Sequence, residues 1–238
     1  MLFRSGGKTG VDLPEGKNLV GAFHQPAAIV IDIALLERLP ERDRRSALGE
    51  AVKMAALGEH RLFELLETRG PAIAIGDAAA IADGSLAELV ERCAWAKVEV
   101  VAADEKESAV RIALNLGHSL GHAFEAAGGF ADLRHGEAVA YGLRAACRIG
   151  LAAGVTPPER AARIERLLDA LGLGEGLLPY SIEAVVGHLG ADKKHHDGRL
   201  RWVLPTDHAY VVRDDITESV VRDVAAGLLE PIAVGGGH

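Results

Sequence analysis

Residues 115–125 read Asn-Leu-Gly-His-Ser-Leu-Gly-His-Ala-Phe-Glu, and a short way on come Arg134, His135, Gly136 and Glu137. His118 and His122 are spaced i, i+4, so on a helix they project from one side a turn apart. The glycines at 117, 121 and 136 let a second backbone or a ligand come close. Aromatic residues make up only 4% of the chain while Ala and Gly are abundant, which favours helices packed through small residues over an aromatic-rich β-sandwich. With 49% hydrophobic residues in 238, the aliphatic core can be substantial.

Charge and cysteine usage narrow the function classes. A formal net charge of -8 and a pI near 5.7 repel polyanions, so no nucleic-acid partner is expected. Cys93 and Cys147 are too few for a disulfide framework or a Cys-rich zinc site, and suit a reducing cytoplasm. No apolar run approaches the ~18 residues of a membrane span, and the first residues lack a signal-peptide core. The expectation is a cytoplasmic protein without a membrane partner.

Along the chain, residues 6 to 26 carry Gly, Lys, Pro and Asn without periodicity and read as loop; Gly6-Gly7-Lys8-Thr9 lacks the glycine spacing of a P-loop. Ala27 to Asp32 is a short β-branched run that reads as a strand without an evident partner, so it must pair with the late hairpin or with something outside the chain. A helix starts after Pro40, with Leu48, Val52, Ala55 and Ala56 on its apolar side and Glu50 and Lys53 facing one space. Ser85 to Glu88 matches a capping box ahead of a stripe through Leu86, Leu89, Val90, Cys93, Val100 and Val101. Lys97 lies within that stripe, where an ammonium needs a carboxylate, a ligand or a route to water.

Thr156 to Glu159 reads as a second capping box, with Ile164, Leu167, Leu168 and Leu171 continuing its helix until Gly172. A shorter helix is expected from Ser181, then a β-hairpin through Trp202–Leu204 and Ala209–Val212, a last helix through Ile216, Val220, Val221 and Val224, and a Gly-rich tail. His195-His196 reads as exposed loop rather than a metal pair.

A catalytic zinc takes three protein ligands and keeps a position open. His118, His122 and His135 offer imidazoles and Glu50, Glu125 and Glu137 offer carboxylates, and spacing alone leaves the trio undecided.

Six blocks, taken together, resemble the 3-dehydroquinate synthase family: Gly7-Lys8-Thr9; Gly16 to Pro26; Leu39 to Arg42; Glu50 to Lys53; Asn115 to Glu125; and His135 to Ala140. The resemblance runs from about residue 6 to residue 213. It implies a mainly α fold: the helical C-terminal domain of the dehydroquinate synthase-like fold, with a short N-terminal strand and a late β-hairpin. On that reading residues 1–38 are the interdomain loop and remnant of an NAD-binding half, 39–230 the metal- and substrate-binding domain, and 231–238 a flexible tail. The family has an aspartate where Leu2 stands and usually Tyr-Gly where Met54-Ala55 stand, and the first departure points to a truncated or artificial start.

Carried over position by position, the resemblance assigns a divalent metal, Zn2+ or another such as Co2+, to Glu50, His118 and His135, and leaves His122 facing substrate. Lys8, Asn18, Lys53, Lys97, Arg111 and Asn115 match substrate contacts, as does one of Lys193 and Lys194. Lys8 and Lys17 border the cofactor NAD, and Leu35, Leu36, Glu37 and Arg38 match positions near its adenosine half. The implied reaction is lyase chemistry of the shikimate pathway to aromatic amino acids: 3-deoxy-D-arabino-heptulosonate 7-phosphate gives 3-dehydroquinate and phosphate, in a complete enzyme expected to be a homodimer. This chain alone is expected to bind metal but not to turn over. The alternatives are a related sugar-phosphate cyclase and a non-catalytic metal-binding helical domain.

Overall fold

The computed structural model describes residues 6–7, 9–13, 16–22, 24–104, 110–195 and 200–231; the side chains of residues 12, 13, 16–19 and 191–195 also lie outside the description. Its order is β1 (Val11–Leu13), β2 (Gly16–Val20), α1 (Ile33–Glu37), α2 (Glu41–Ala56), α3 (His60–Ile75), α4 (Ala78–Ala82) and α5 (Ser85–Ala103), then a 3₁₀ turn, Val110–Asn115. There follow α6 (His118–Ala127), α7 (His135–Ala152), α8 (Pro158–Ala170), α9 (Ile182–His195), β3 (Trp202–Pro205), β4 (Tyr210–Arg213) and α10 (Glu218–Ala226). β1 pairs antiparallel with β2, and β3 with β4.

Helix α7 lies at the centre. Nearly its whole circumference is buried, from Gly136 through Ile149 and Gly150, because α2, α6, α8, α10 and β3 all pack on it. A helix enclosed on all sides keeps its neighbours near only where side chains are small, and here α7 meets two of them backbone to backbone. A Cβ on Gly136 would overlap the Ser46 carbonyl oxygen of α2, and one on Gly49 would overlap the Gly136 carbonyl. At the other contact, a Cβ on Gly142 would overlap the Gly117 carbonyl just ahead of α6. The expectation of helices packed through small residues is met at these crossings.

Several local readings are corrected. Residues 27–32 form no strand: they pair neither with β3–β4 nor with other described residues, and Val30 is 91% exposed. β-branched content favours a strand only where a partner can complete the ladder. Residues 6 to 26 are not loop throughout, since β1 and β2 form a hairpin there. Ser85 does not cap α5; Gly84 holds the cap position at φ 87°, and the Ser85 hydroxyl accepts from Arg69 instead. Thr156 likewise does not cap α8, because its hydroxyl donates to the Pro205 carbonyl at 2.5 Å and ties the α7–α8 turn to β3; Pro157 takes the cap and Pro158 the first turn. Helix α9, with 14 residues, is not shorter than α8, with 13.

Both cysteines are buried, on α5 and α7, and burial pushes each thiol up to about 12. For an acid raised in the folded state, the unfolded thiol ionises first, so these groups withdraw stability as pH rises above ~8.5. Alkylation by iodoacetamide at pH 8 is expected to leave both unmodified in the native chain and to label both in denaturant; native labelling would contradict this burial.

The glycine contacts give a second prediction. Gly136→Ala is expected to cost about 2–3 kcal/mol through overpacking, a fall of roughly 5–10 °C in Tm for a chain of this size. Gly187 on α9 has open space where a Cβ would go, so Gly187→Ala should instead raise stability by about 0.5–1 kcal/mol. Thermal melts of the two variants check both signs.

Candidate metal centre

Each of the close crossings has a site residue beside its glycine: Glu50 follows Gly49 on α2, His118 follows Gly117 on α6, and His135 precedes Gly136 on α7. Contact between the three backbones therefore brings three donor-bearing side chains to one point. His118 Nε2 and His135 Nε2 each lie 3.3 Å from Glu50 Oε1. Glu50 as a side chain is 31% exposed, yet Oε1 itself is shut off from solvent. Neither imidazole is aligned to donate to it, so Oε1 accepts no hydrogen bond among the described residues.

The other ring nitrogens define which atoms hold lone pairs. His118 Nδ1 sits 3.1 Å from the Leu116 carbonyl oxygen, which can only accept, so Nδ1 carries the hydrogen. His135 Nδ1 sits 3.2 Å from Glu125 Oε2 and donates to that carboxylate. In the neutral rings both Nε2 atoms are then lone-pair donors aimed at a third donor, Glu50 Oε1. Three lone pairs converging on one buried point repel unless a cation lies among them, and two imidazoles with one carboxylate are a donor set that suits a divalent metal. The residues present fit such an ion.

The electrostatics agree. Burial works against the Glu50 carboxylate, but the Lys53 ammonium, 2.8 Å from Oε2, and the two imidazoles hold it well below the usual carboxylate range. Burial, aided by Lys53, pushes His118 down and favours the neutral ring. Burial opposes a proton on His135, but the Glu125 carboxylate, which accepts from Nδ1, and the negative charges of Glu50 and Glu125 raise it to about 9. The charges that favour a proton on His135 favour a metal cation in its place.

His122, exposed one turn along α6, has its ring 5.2 Å from His118 and 5.7 Å from His135. The three imidazoles bring one nitrogen each within 4.8 Å of one another, so two overlapping donor sets exist, one with Glu50 and one with His122. The Glu50 set has the closer donors and the buried oxygen.

Other expected site residues are placed as follows. Lys53 is buried beside Glu50, and Lys97 is half-buried on α5. Arg111, 3% exposed, donates from Nη2 to the Gly6 carbonyl at 2.8 Å, and its backbone N–H donates to Asp104. Asn115 is exposed at the end of the 3₁₀ turn. Leu35, Glu37 and Arg38 are exposed on or just after α1, and Leu36 packs on the core. Lys8 and the side chains of Lys17, Asn18, Lys193 and Lys194 lie outside the described residues, as does His196.

Glu137 does not reach the donors. It accepts a bidentate pair from Arg42 at 2.6 and 2.7 Å and the Arg134 N–H at 2.9 Å, while Arg42 also bonds the Asp132 carbonyl at 2.7 Å. This clamp, joined by Arg134 to Asp43 at 2.7 Å, fixes the start of α7 against α2 and hence the position of His135. Its sequence signal was an acidic residue three after Arg134, the spacing of a capping box. Its arginine partner, 95 residues away, left none.

Two family profiles match the chain: 3-dehydroquinate synthase C-terminal over residues 47–195 and 3-dehydroquinate synthase N-terminal over residues 4–46. A curated 3-dehydroquinate synthase from Synechococcus sp. (strain CC9605) is 43% identical over 218 residues, covering 91% of this chain and 58% of that protein. One from Caulobacter vibrioides is 41% identical, covering 88% of this chain and 57% of that protein. The chain thus spans somewhat over half the length of the relatives it matches. Among solved structures, the 2-epi-5-epi-valiolone synthase ValA from Streptomyces hygroscopicus subsp. jinggangensis, with NAD+ and Zn2+ bound, superposes with a TM-score of 0.83 at 26% identity, over 93% of this chain and 61% of that one. A 2-deoxy-scyllo-inosose synthase complexed with carbaglucose-6-phosphate, NAD+ and Co2+ shares the fold with a TM-score of 0.72 at 21% identity, over 92% of this chain and 62% of that one. No helix among the described residues is long and apolar enough to cross a membrane. The profile over 47–195 spans the whole donor cluster, from Glu50 to His135, and with it this chain belongs to the 3-dehydroquinate synthase family.

Proposed function

We propose that this chain is the metal- and substrate-binding part of a 3-dehydroquinate synthase, a lyase that converts 3-deoxy-D-arabino-heptulosonate 7-phosphate to 3-dehydroquinate and phosphate by oxidation, elimination, reduction and aldol cyclisation. The observation that carries the reading is the convergence of Glu50 Oε1 with the two Nε2 atoms at 3.3 Å, in a chain whose relatives of 38–43% identity bear that name. Residues 39–230 form the binding domain on this account, and residues 1–38 join it to an NAD-binding half. The complete enzyme is taken to be a cytoplasmic homodimer.

Glu50, His118 and His135 hold the metal, and the buried Lys53 keeps Glu50 ionised for that role. When bound, a divalent metal supplies Lewis-acid polarisation of a substrate hydroxyl and NAD supplies a hydride acceptor. A substrate bearing a phosphate and a carboxylate needs cations in an otherwise acidic protein. Lys53, Lys97 and Arg111, with Lys8 and Lys193 or Lys194, are assigned to that need here, and Asn18 and Asn115 add neutral hydrogen-bonding groups. Arg111 also holds the backbone at Gly6 through a buried guanidinium. His122 is the exposed imidazole beside the donors and moves a proton at the substrate rather than binding the ion, because ligation by a third imidazole would close a position that substrate oxygens require.

The likeness to the valiolone synthase keeps a related sugar-phosphate cyclase as the second reading. Product formation decides between them: with zinc, NAD and the family's N-terminal domain supplied, phosphate release is expected from the heptulosonate phosphate and not from a heptulose 7-phosphate that lacks the carboxylate, and the reverse preference would reject the assignment. Calorimetric Zn2+ titration tests the ligand set. His118→Ala and His135→Ala are expected to weaken binding by about 100-fold or more, from loss of one of three ligands, while His122→Ala stays within about threefold of the parent chain. A loss in His122→Ala equal to that in His135→Ala would assign the ion to the three imidazoles instead.

A further inference from the structure

We infer that Glu125 is a positioning residue for the metal centre: its carboxylate fixes the orientation and tautomer of His135 and strengthens that imidazole as a ligand. The inference rests on the metal-site reading above and assigns a group which that reading leaves without a role. Glu125 lies on α6 seven residues after His118, so the two side chains share one helix face two turns apart. One helix thereby supplies a ligand of its own and the group that orients a ligand on α7.

The Glu125 side chain is 5% exposed, a costly place for a carboxylate without a compensating hydrogen bond. Its Oε2 stands 3.2 Å from His135 Nδ1, on the side of the ring opposite Glu50, whose Oε1 stands 3.3 Å from Nε2. The His135 ring is therefore held at both nitrogens, and Glu125 faces the nitrogen that points away from the donor cluster. His118 is set in its tautomer by a neutral acceptor, the Leu116 carbonyl. A carboxylate in the equivalent position accepts a stronger, charge-assisted hydrogen bond and raises the electron density at the coordinating nitrogen. His135, the first residue of α7, has no preceding helical turn to restrict its ring. Glu125 supplies that restriction.

Zn2+ affinity, measured by competition with a chromophoric chelator, tests this in the full chain and in Glu125→Gln. The variant keeps the side chain's size and removes its charge. Its affinity is expected to fall about 10–100-fold, with an altered visible absorption band of the Co2+-loaded form. Unchanged affinity and an unchanged Co2+ band, in a parent chain that binds zinc, would overturn the role of Glu125 and leave the metal site standing. A parent chain that binds no zinc would overturn both. A measurement that needs no variant guards against misfolding of Glu125→Gln: nitrogen-edited NMR of the zinc-loaded parent should show His135 with its proton on Nδ1 and the metal on Nε2. The opposite tautomer would overturn the proposal.

Discussion

Contact between backbones, without intervening side chains, is the constraint from which the rest of this structure follows. Gly49 and Gly136 let α2 and α7 touch, and Gly142 lets α7 touch the chain at Gly117 where α6 begins. Each contact stands beside a donor residue, so the distances among Glu50, His118 and His135 are set by main-chain packing rather than by the rotamers of long side chains. Packed interiors deform little. A site built this way holds its geometry before any ligand arrives, which is what selective binding of an ion requires.

The charges around the centre are arranged in compensating layers. Lys53 faces the outer oxygen of Glu50, and Glu125 faces the outer nitrogen of His135. Further out, Arg42 and Glu137 lock α2 to the start of α7. A buried carboxylate is tolerable only with such partners, and here each partner also restricts the motion of a donor. His122 is exposed on α6, with its ring 5.2 Å from that of His118.

Much of this was legible in the sequence because it depends on local order. The i, i+4 histidines, the apolar stripes of α2 and α5 and the late hairpin follow from side-chain period alone, and the family resemblance singled out Glu50 from three candidate carboxylates. What the sequence hid depends on distant partners. Residues 27–32 have strand-forming composition but no strand beside them among the described residues. Thr156 has the chemistry of a cap but finds the Pro205 carbonyl, 49 residues on. By spacing alone Glu137 and Glu125 were equivalent to Glu50 as ligands, and only the fold shows that one is held by Arg42 and the other reaches His135 from behind.

X-ray absorption fine structure of the zinc-loaded chain tests the central claim most directly, since it counts imidazoles in the first coordination sphere. The account predicts two imidazole nitrogens at about 2.0–2.1 Å together with oxygen ligands, from His118, His135 and Glu50. A sphere with three imidazoles, or with none, would contradict it.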